Sequence, residues 1–246
     1  MFAVVRFTQK ERSLKSVFAK LKVKSESVEL PSGGYFFIIT AEKRKNRIPL
    51  DKIISVAGNL RNSLVFPSDF DFTGKENLIY KPQGLEEKLL FHFAEKNIRL
   101  MKLKPSECSV CINDSSGTYV KDIKRLLPFA AKIYVVCSDK GLYENEVKRI
   151  FYEYGCSVIL WEAFEPVLRN CDVIISYKSD EVPLFYGKLI FTENVFSSVS
   201  IKLPEEYEAL CPEGIDKGIF ASALYEKCNV PAEIFLLDNT TGKDIY

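Results

Sequence analysis

A single histidine in 246 residues, His92, leaves no basis for a multi-histidine metal site. A Ser–His–Asp relay would have to pass through that one ring, and no GxSxG elbow accompanies it. His92 falls at the edge of a polar stripe beside Lys88 and Arg99, where a structural or solvated role suits it. Long apolar runs are also missing: none approaches the roughly 18 residues that a membrane-spanning helix requires. Met1–Gln9 is too short for a secretion signal and has no basic leader before its apolar stretch. These absences predict a cytoplasmic protein with no membrane partner. Repeats and low-complexity tracts are absent as well.

Seven cysteines cannot all pair internally. Five of them sit in or beside predicted strands, where cysteine behaves as a small hydrophobe. Cys108-Ser-Val-Cys111 has the spacing of a redox or zinc site. On a strand, residues three apart face opposite sides of the sheet, so the two thiols could not share a metal. A reducing compartment follows.

Net charge is only +1, yet it is unevenly spread. Residues 1–105 carry 20 Lys+Arg against 11 Asp+Glu, while residues 106–246 carry 14 against 22. Such asymmetry fits either an anionic partner for the basic half or attraction between the halves, within one molecule or across a homodimer. The second explanation is favoured; separately, the charged loop Glu42–Arg47 lacks interleaved aromatics, sits between regular elements and reads as a solvated turn. Nucleic acid is therefore not the expected partner.

What the chain does contain is a run of strand signals. Ser109–Ile112, Ile133–Cys137, Ser157–Leu160 and Val173–Ser176 are short, apolar on successive residues and rich in β-branched side chains. That pattern belongs to strands covered on both faces of a parallel sheet. Lys188–Phe191 offers a fifth. Amphipathic segments between the first three predict an α/β fold of the doubly wound, mostly parallel, Rossmann-like type. A helix over the first crossover would carry Val120, Ile123, Leu126 and Leu127.

Ahead of it, residues 1–83 read as a small α+β domain. Phe2–Phe7 is a strand, and Leu14, Val17, Phe18 and Leu21 recur at helical spacing. Ser27–Leu30 and Tyr35–Thr40 flank Pro31-Ser32-Gly33-Gly34 as a hairpin. Asp51 is placed to cap a helix carrying Ile53, Ile54, Ala57 and Leu60. Leu64–Phe66 and Leu78–Tyr80 are strand candidates around a loop containing Asp69-Phe70-Asp71, whose carboxylates would share one side if extended. A linking helix, 84–102, is apolar over a broad arc and must be packed on most sides. The remainder, 84–246, forms the second domain and includes a C-terminal helical tail. In that tail Pro204–Leu210 is a short helix, and Asp216 caps a longer one ending before Pro231. Ile234–Leu237 is an edge strand or a clasp on a partner chain.

Ligands of open α/β sheets bind beyond the carboxyl ends of the strands, at the switch point. The first strand ends in Asn113-Asp114-Ser115-Ser116-Gly117-Thr118, the second in Ser138-Asp139-Lys140, and the fourth in Ser176-Tyr177-Lys178. Over roughly 108–194 the chain resembles the NAD(P)-binding Rossmann domains of the shikimate dehydrogenase and glutamyl-tRNA reductase type. Cys171-Asp-Val-Ile-Ile-Ser176 is similar to that family's fourth strand, and Lys188-Leu-Ile-Phe-Thr192 to the following one. The resemblance implies a pyrophosphate site on the first turn, Asn113, Asp114, Ser115, Ser116, Gly117 and Thr118. It also implies a ribose reader at Asp139 and a contribution from Ser176, with NAD or NADP as cofactor.

The departures from that pattern are specific. A GxGxxG fingerprint laid on Asn113, Ser115 and Thr118 meets no glycine, and Gly117 is out of register. Asp114 puts a carboxylate where phosphate charge would lie; at ~4 Å like charges cost roughly 1–4 kcal/mol, depending on the dielectric. The Ser115, Ser116 and Thr118 hydroxyls remain suited to a smaller anion. The family's lysine–aspartate catalytic pair has no counterpart in residues 1–83, while Lys178 and Asp180 read as ordinary loop residues. Trp161 and Tyr177 read as packing residues. The first expectation is thus a degenerate nucleotide-binding fold in a binding, regulatory or scaffolding role. The alternative is an NAD(P)-dependent oxidoreductase with an atypical phosphate turn.

Overall fold

The computed structural model describes residues 1–9, 20–44, 48–71, 78–82, 84–163, 167, 171–178, 182 and 189–239. The helix expected near residues 14–21 falls largely outside them; Lys188, Asp180, residues 72–77 and the tail from 240 lie wholly outside. The chain divides into two compact units: 1–85 with 201–236, and 86–200 with the residues from 237 onward.

In the first unit, β1 (Ala3–Gln9), β2 (Val23–Glu29), β3 (Tyr35–Lys43) and β4 (Leu64–Val65) form one sheet in the order β2-β3-β1-β4. β2 and β3 are the expected antiparallel hairpin, while β1 runs parallel to both β3 and β4. Gly33 and Gly34 take φ of +82° and +84°, values that only glycine adopts freely, and the Leu30 N–H closes the turn on the Gly34 carbonyl at 3.0 Å. β3 is longer than its apolar run and takes in Glu42 and Lys43, which were expected in a loop. Of the Leu78–Tyr80 strand only an isolated bridge, Ile79 to Leu64, is formed.

α1 (Leu50–Ala57) places Ile53 and Ala57 in the core with Ala3, Val5, Ile39, Ala41 and Leu64. Asp51 does not cap it: Pro49 holds the cap position without a side-chain bond, and Asp51 lies inside the first turn. There it complements the positive end of the helix dipole. Asp69-Phe70-Asp71 is not extended either, because the Phe70 N–H folds back onto the Pro67 carbonyl. Its Phe70 stacks on Phe7 and Phe66.

The C-terminal segment corrects the expected division. Ile201–Leu236 groups with the first unit, not with the parallel sheet. The reason is aromatic packing. Phe220, fully buried on the longest C-terminal helix (Lys217–Cys228), meets Phe2 and Phe36 edge-on at 5.8 and 5.5 Å, and those two rings stack at 5.2 Å. As expected, Asp216 caps this helix by accepting the Ile219 N–H at 2.8 Å. Asp216→Ala is predicted to cost about 1 kcal/mol, measured as a lowered midpoint in denaturant.

The second unit is built on a five-stranded sheet in which every neighbouring pair is parallel. Its strands are β5 (Ser109–Asn113), β6 (Lys132–Val136), β7 (Val158–Trp161), β8 (Val173–Ser176) and β9 (Leu189–Phe191), ordered β7-β6-β5-β8-β9. This is the order of a doubly wound α/β domain, with its switch point between β5 and β8. Side chains alternate between two cores. Val110, Ile112, Ile133, Val135, Val173 and Ile175 pack with α2 (Leu85–Leu100) and α3 (Gly141–Tyr154), which contribute Leu90, Phe91, Ala94, Ile98, Tyr143 and Ile150. Cys111, Val136 and Ile174 point the other way, against Val167 and Cys171. The CxxC pair is therefore split, with Cys108 in the first core and Cys111 in the second. None of the seven cysteines is in a disulfide.

The first crossover is not the expected helix. Residues 118–122 form turns, and only Ile123–Leu126 form a 3₁₀ turn. An α-helix would give the Thr118 carbonyl to the Asp122 N–H. Here Lys88 takes that carbonyl, and the Asp122 N–H goes to Tyr119 instead.

Candidate functional site

The switch point brings together the ends of β5 and β8. Asn113 and Ser176 are register partners, and the Asn113 amide donates to the Ser176 hydroxyl at 3.1 Å. Ser176 is fully buried and passes its own proton to the Lys178 carbonyl. Neither side chain is left to meet a ligand unbonded.

One residue further on, the chain turns around Asp114. Aspartate followed by small polar residues and glycine is turn chemistry, since the carboxylate bonds to backbone two or more residues ahead. Gly117, at φ +76°, bends the chain so that successive N–H groups converge on that carboxylate. Oδ1 accepts the N–H groups of Ser116, Gly117 and Thr118 at 3.1, 2.9 and 3.2 Å, and the Ser116 hydroxyl at 2.8 Å. Oδ2 accepts the Tyr119 N–H at 2.8 Å and the Tyr143 hydroxyl of α3. Asp114 is 2 % exposed. Thus six donors surround one buried carboxylate, filling the position that the sequence assigned to pyrophosphate. Burial first, then the Asp114 charge, pushes the Tyr143 phenol far above its ordinary range, so it stays a donor.

The first turn of α2 closes over this loop. The Tyr119 hydroxyl donates to the Glu87 carbonyl at 2.9 Å, the Ser116 hydroxyl reaches the Glu87 carboxylate at 3.4 Å, and Lys88 bonds the Thr118 carbonyl and Asp122. Tyr177, beyond β8, donates to Glu86 at 2.8 Å. Burial and the neighbouring Asp114 raise the Glu87 carboxyl above the usual glutamate range. The rim of the switch point thus carries Glu86, Glu87 and Asp114, and Lys88 beside them is paired with Asp122.

Of the residues assigned to a cofactor, Asp114, Ser116, Gly117 and Thr118 come together bonded to one another, while Asn113 is bonded to Ser176. Ser115 is exposed beside them. Asp139 lies at the end of β6, where its Oδ1 accepts the Gly141 N–H at 2.9 Å and closes the turn into α3. His92 is apart from this chemistry. Its ring lies 3.0 Å from Arg125, which in turn bonds the buried Glu95 at 2.7 Å. Among the described residues no group of three or more His, Cys, Asp and Glu side chains could hold a metal, and no helix is long and apolar enough to cross a membrane.

Sequence reasoning missed Glu86, Glu87, Lys88 and Tyr143. Tyr143 had a signal: with Val147 and Ile150 it recurs at helical spacing on an apolar face, and a buried phenol requires a hydrogen-bond partner. The α2 residues had none, because the pairing depends on how α2 meets a turn some 30 residues away.

No protein-family model and no curated protein matches the sequence. Solved structures overlap with it weakly. A lysine cyclodeaminase has 18 % identity and a TM-score of 0.30, covering 43 % of this chain, which spans 30 % of that protein. The quinate dehydrogenase of Corynebacterium glutamicum, solved with NAD, has 12 % identity and a TM-score of 0.33 over 75 % of this chain and 80 % of its own. The shikimate dehydrogenase of Aquifex aeolicus has 13 % identity and a TM-score of 0.29 over 81 % and 84 %. Overlaps this slight bear on neither ligand nor reaction. The assignment to the α/β class rests on the parallel five-stranded sheet itself.

Proposed function

We propose that the second unit is a Rossmann-like domain whose phosphate turn is occupied by its own carboxylate, and that the protein serves in a binding, regulatory or scaffolding role rather than as a dinucleotide enzyme. The Asp114 carboxylate carries this reading. A pyrophosphate needs the turn's N–H groups, and four of them are already bonded to Asp114. Displacing it would strand a buried anion beside Glu87, and an uncompensated buried charge is strongly unfavourable. Asp139, tied to Gly141, leaves the ribose position partly committed as well.

The second reading is an NAD(P)-dependent oxidoreductase with an atypical turn. The strand order β7-β6-β5-β8-β9 and its switch point favour it. It requires Asp114 to swing out of the turn. A thermal-shift screen with NAD, NADP and mononucleotides separates the two. A ligand present at ~100 times its dissociation constant stabilises the folded state by about 2.7 kcal/mol. The expected outcome is an unchanged melting temperature with every nucleotide. A rise with either dinucleotide would overturn the closed-turn reading.

A further inference from the structure

Two carboxylates converge on one serine hydroxyl. Ser116 Oγ lies 2.8 Å from Asp114 Oδ1 and 3.4 Å from Glu87 Oε1, with Thr118 Oγ1 at 2.6 Å. A serine hydroxyl has a single proton, so it satisfies only one of the two carboxylates at a time. We infer that Glu87, Ser116 and Asp114 form a proton-linked clasp that tightens the first turn of α2 onto the 114–119 turn when Glu87 takes up a proton. The protonated Glu87 then donates to Ser116 Oγ, Ser116 donates to Asp114, and the hydrogen-bond chain is complete. With Glu87 ionised, it and Asp114 are two negative groups competing for the one Ser116 proton, and the contact loosens. The added proton comes from solvent.

The charged and titratable neighbours agree with this assignment. On α2 itself, Lys88 is drawn off to Asp122 at 2.5 Å and to the Thr118 carbonyl, and Glu86 adds like charge while accepting from Tyr177. From the turn, the Asp114 charge acts on Glu87, while Tyr119 donates to the Glu87 carbonyl and the carboxylate meets the Ser116 and Thr118 hydroxyls. Glu87 is held above its ordinary range by burial and by Asp114, only partly offset by Thr118, Ser116 and Lys88. The sign follows. A carboxyl raised in the folded state adds stability below its unfolded midpoint, and that stability is lost as pH rises through the folded midpoint. The clasp is therefore closed in mildly acidic solution and weakened toward neutrality. The 114–119 turn at the switch point is thus held more firmly in mild acid.

From the proposed function this inference takes only the closure of the turn by Asp114. No nucleotide enters its test, so dinucleotide binding and this titration can fail separately. A carbon-13 NMR titration should place the Glu87 side-chain midpoint above that of an exposed glutamate. In parallel, amide exchange of Gly117 and Tyr119, which report the bonds to Asp114, should slow as pH falls from neutral. After correction for intrinsic rates, that gain is about tenfold for each unit by which the Glu87 midpoint is displaced. Glu87→Gln, a neutral mimic of the protonated side chain, should show the protected rates already at neutral pH and a flat profile below it. An ordinary Glu87 midpoint overturns the clasp. So does a pH-independent wild-type profile, or a Glu87→Gln profile that parallels wild type.

Discussion

Asp114→Ala is expected to lower the stability of the second unit by about 2–6 kcal/mol, since each buried donor left without a partner costs about 1–3 kcal/mol. At least two such donors are created. The Tyr119 N–H and the Tyr143 hydroxyl both end on Oδ2, and both residues are fully buried. The N–H groups of Ser116, Gly117 and Thr118 lie nearer the surface and recover part of their loss from water. Relief from burying a charge offsets some of the cost. Trp161 is the protein's single tryptophan and sits on β7 of the same sheet, so its fluorescence in a urea titration follows this unit. A loss within the range of an ordinary surface substitution would mean that the six bonds do not hold the turn.

Phe220→Ala is the second large effect, in the first unit. Truncating a buried phenylalanine costs about 3–5 kcal/mol through lost transfer energy and the cavity left behind. Here the ring packs edge-on against the stacked pair Phe2 and Phe36 and has no exposed surface. Far-UV circular dichroism through a guanidinium transition should show the loss. A negligible change would mean that the C-terminal helix is not part of this core, and that the chain divides where the sequence alone placed the boundary.

How much of this was legible beforehand differs by element. The parallel strands were, because a strand buried on both faces must be apolar at successive positions, as in Val173–Ser176 and Ile133–Val136. The β2–β3 hairpin was legible from Gly33-Gly34, and the Asp216 cap from one polar residue ahead of an apolar run. The first crossover was not. Tyr119, Ile123 and Leu126 are buried at helical spacing, but Lys88 takes the carbonyl on which the helix would have started. The partnership of Phe220 with Phe2 was equally hidden, since nothing local specifies which core an apolar helix joins across more than two hundred residues. At the site, the missing glycines and the intrusive Asp114 were visible as departures. That Asp114 turns inward and serves as the turn's own anion depends on Tyr143 and α2, which only the fold brings near.

The most direct measurement is an amide NMR titration of the wild-type chain with NAD and NADP, followed at Ser116, Gly117, Thr118 and Tyr119. With Asp114 holding these N–H groups, the account predicts that their signals stay in place up to millimolar dinucleotide. Saturable shifts confined to these four amides would show phosphate entering the turn in place of the carboxylate, and would contradict it.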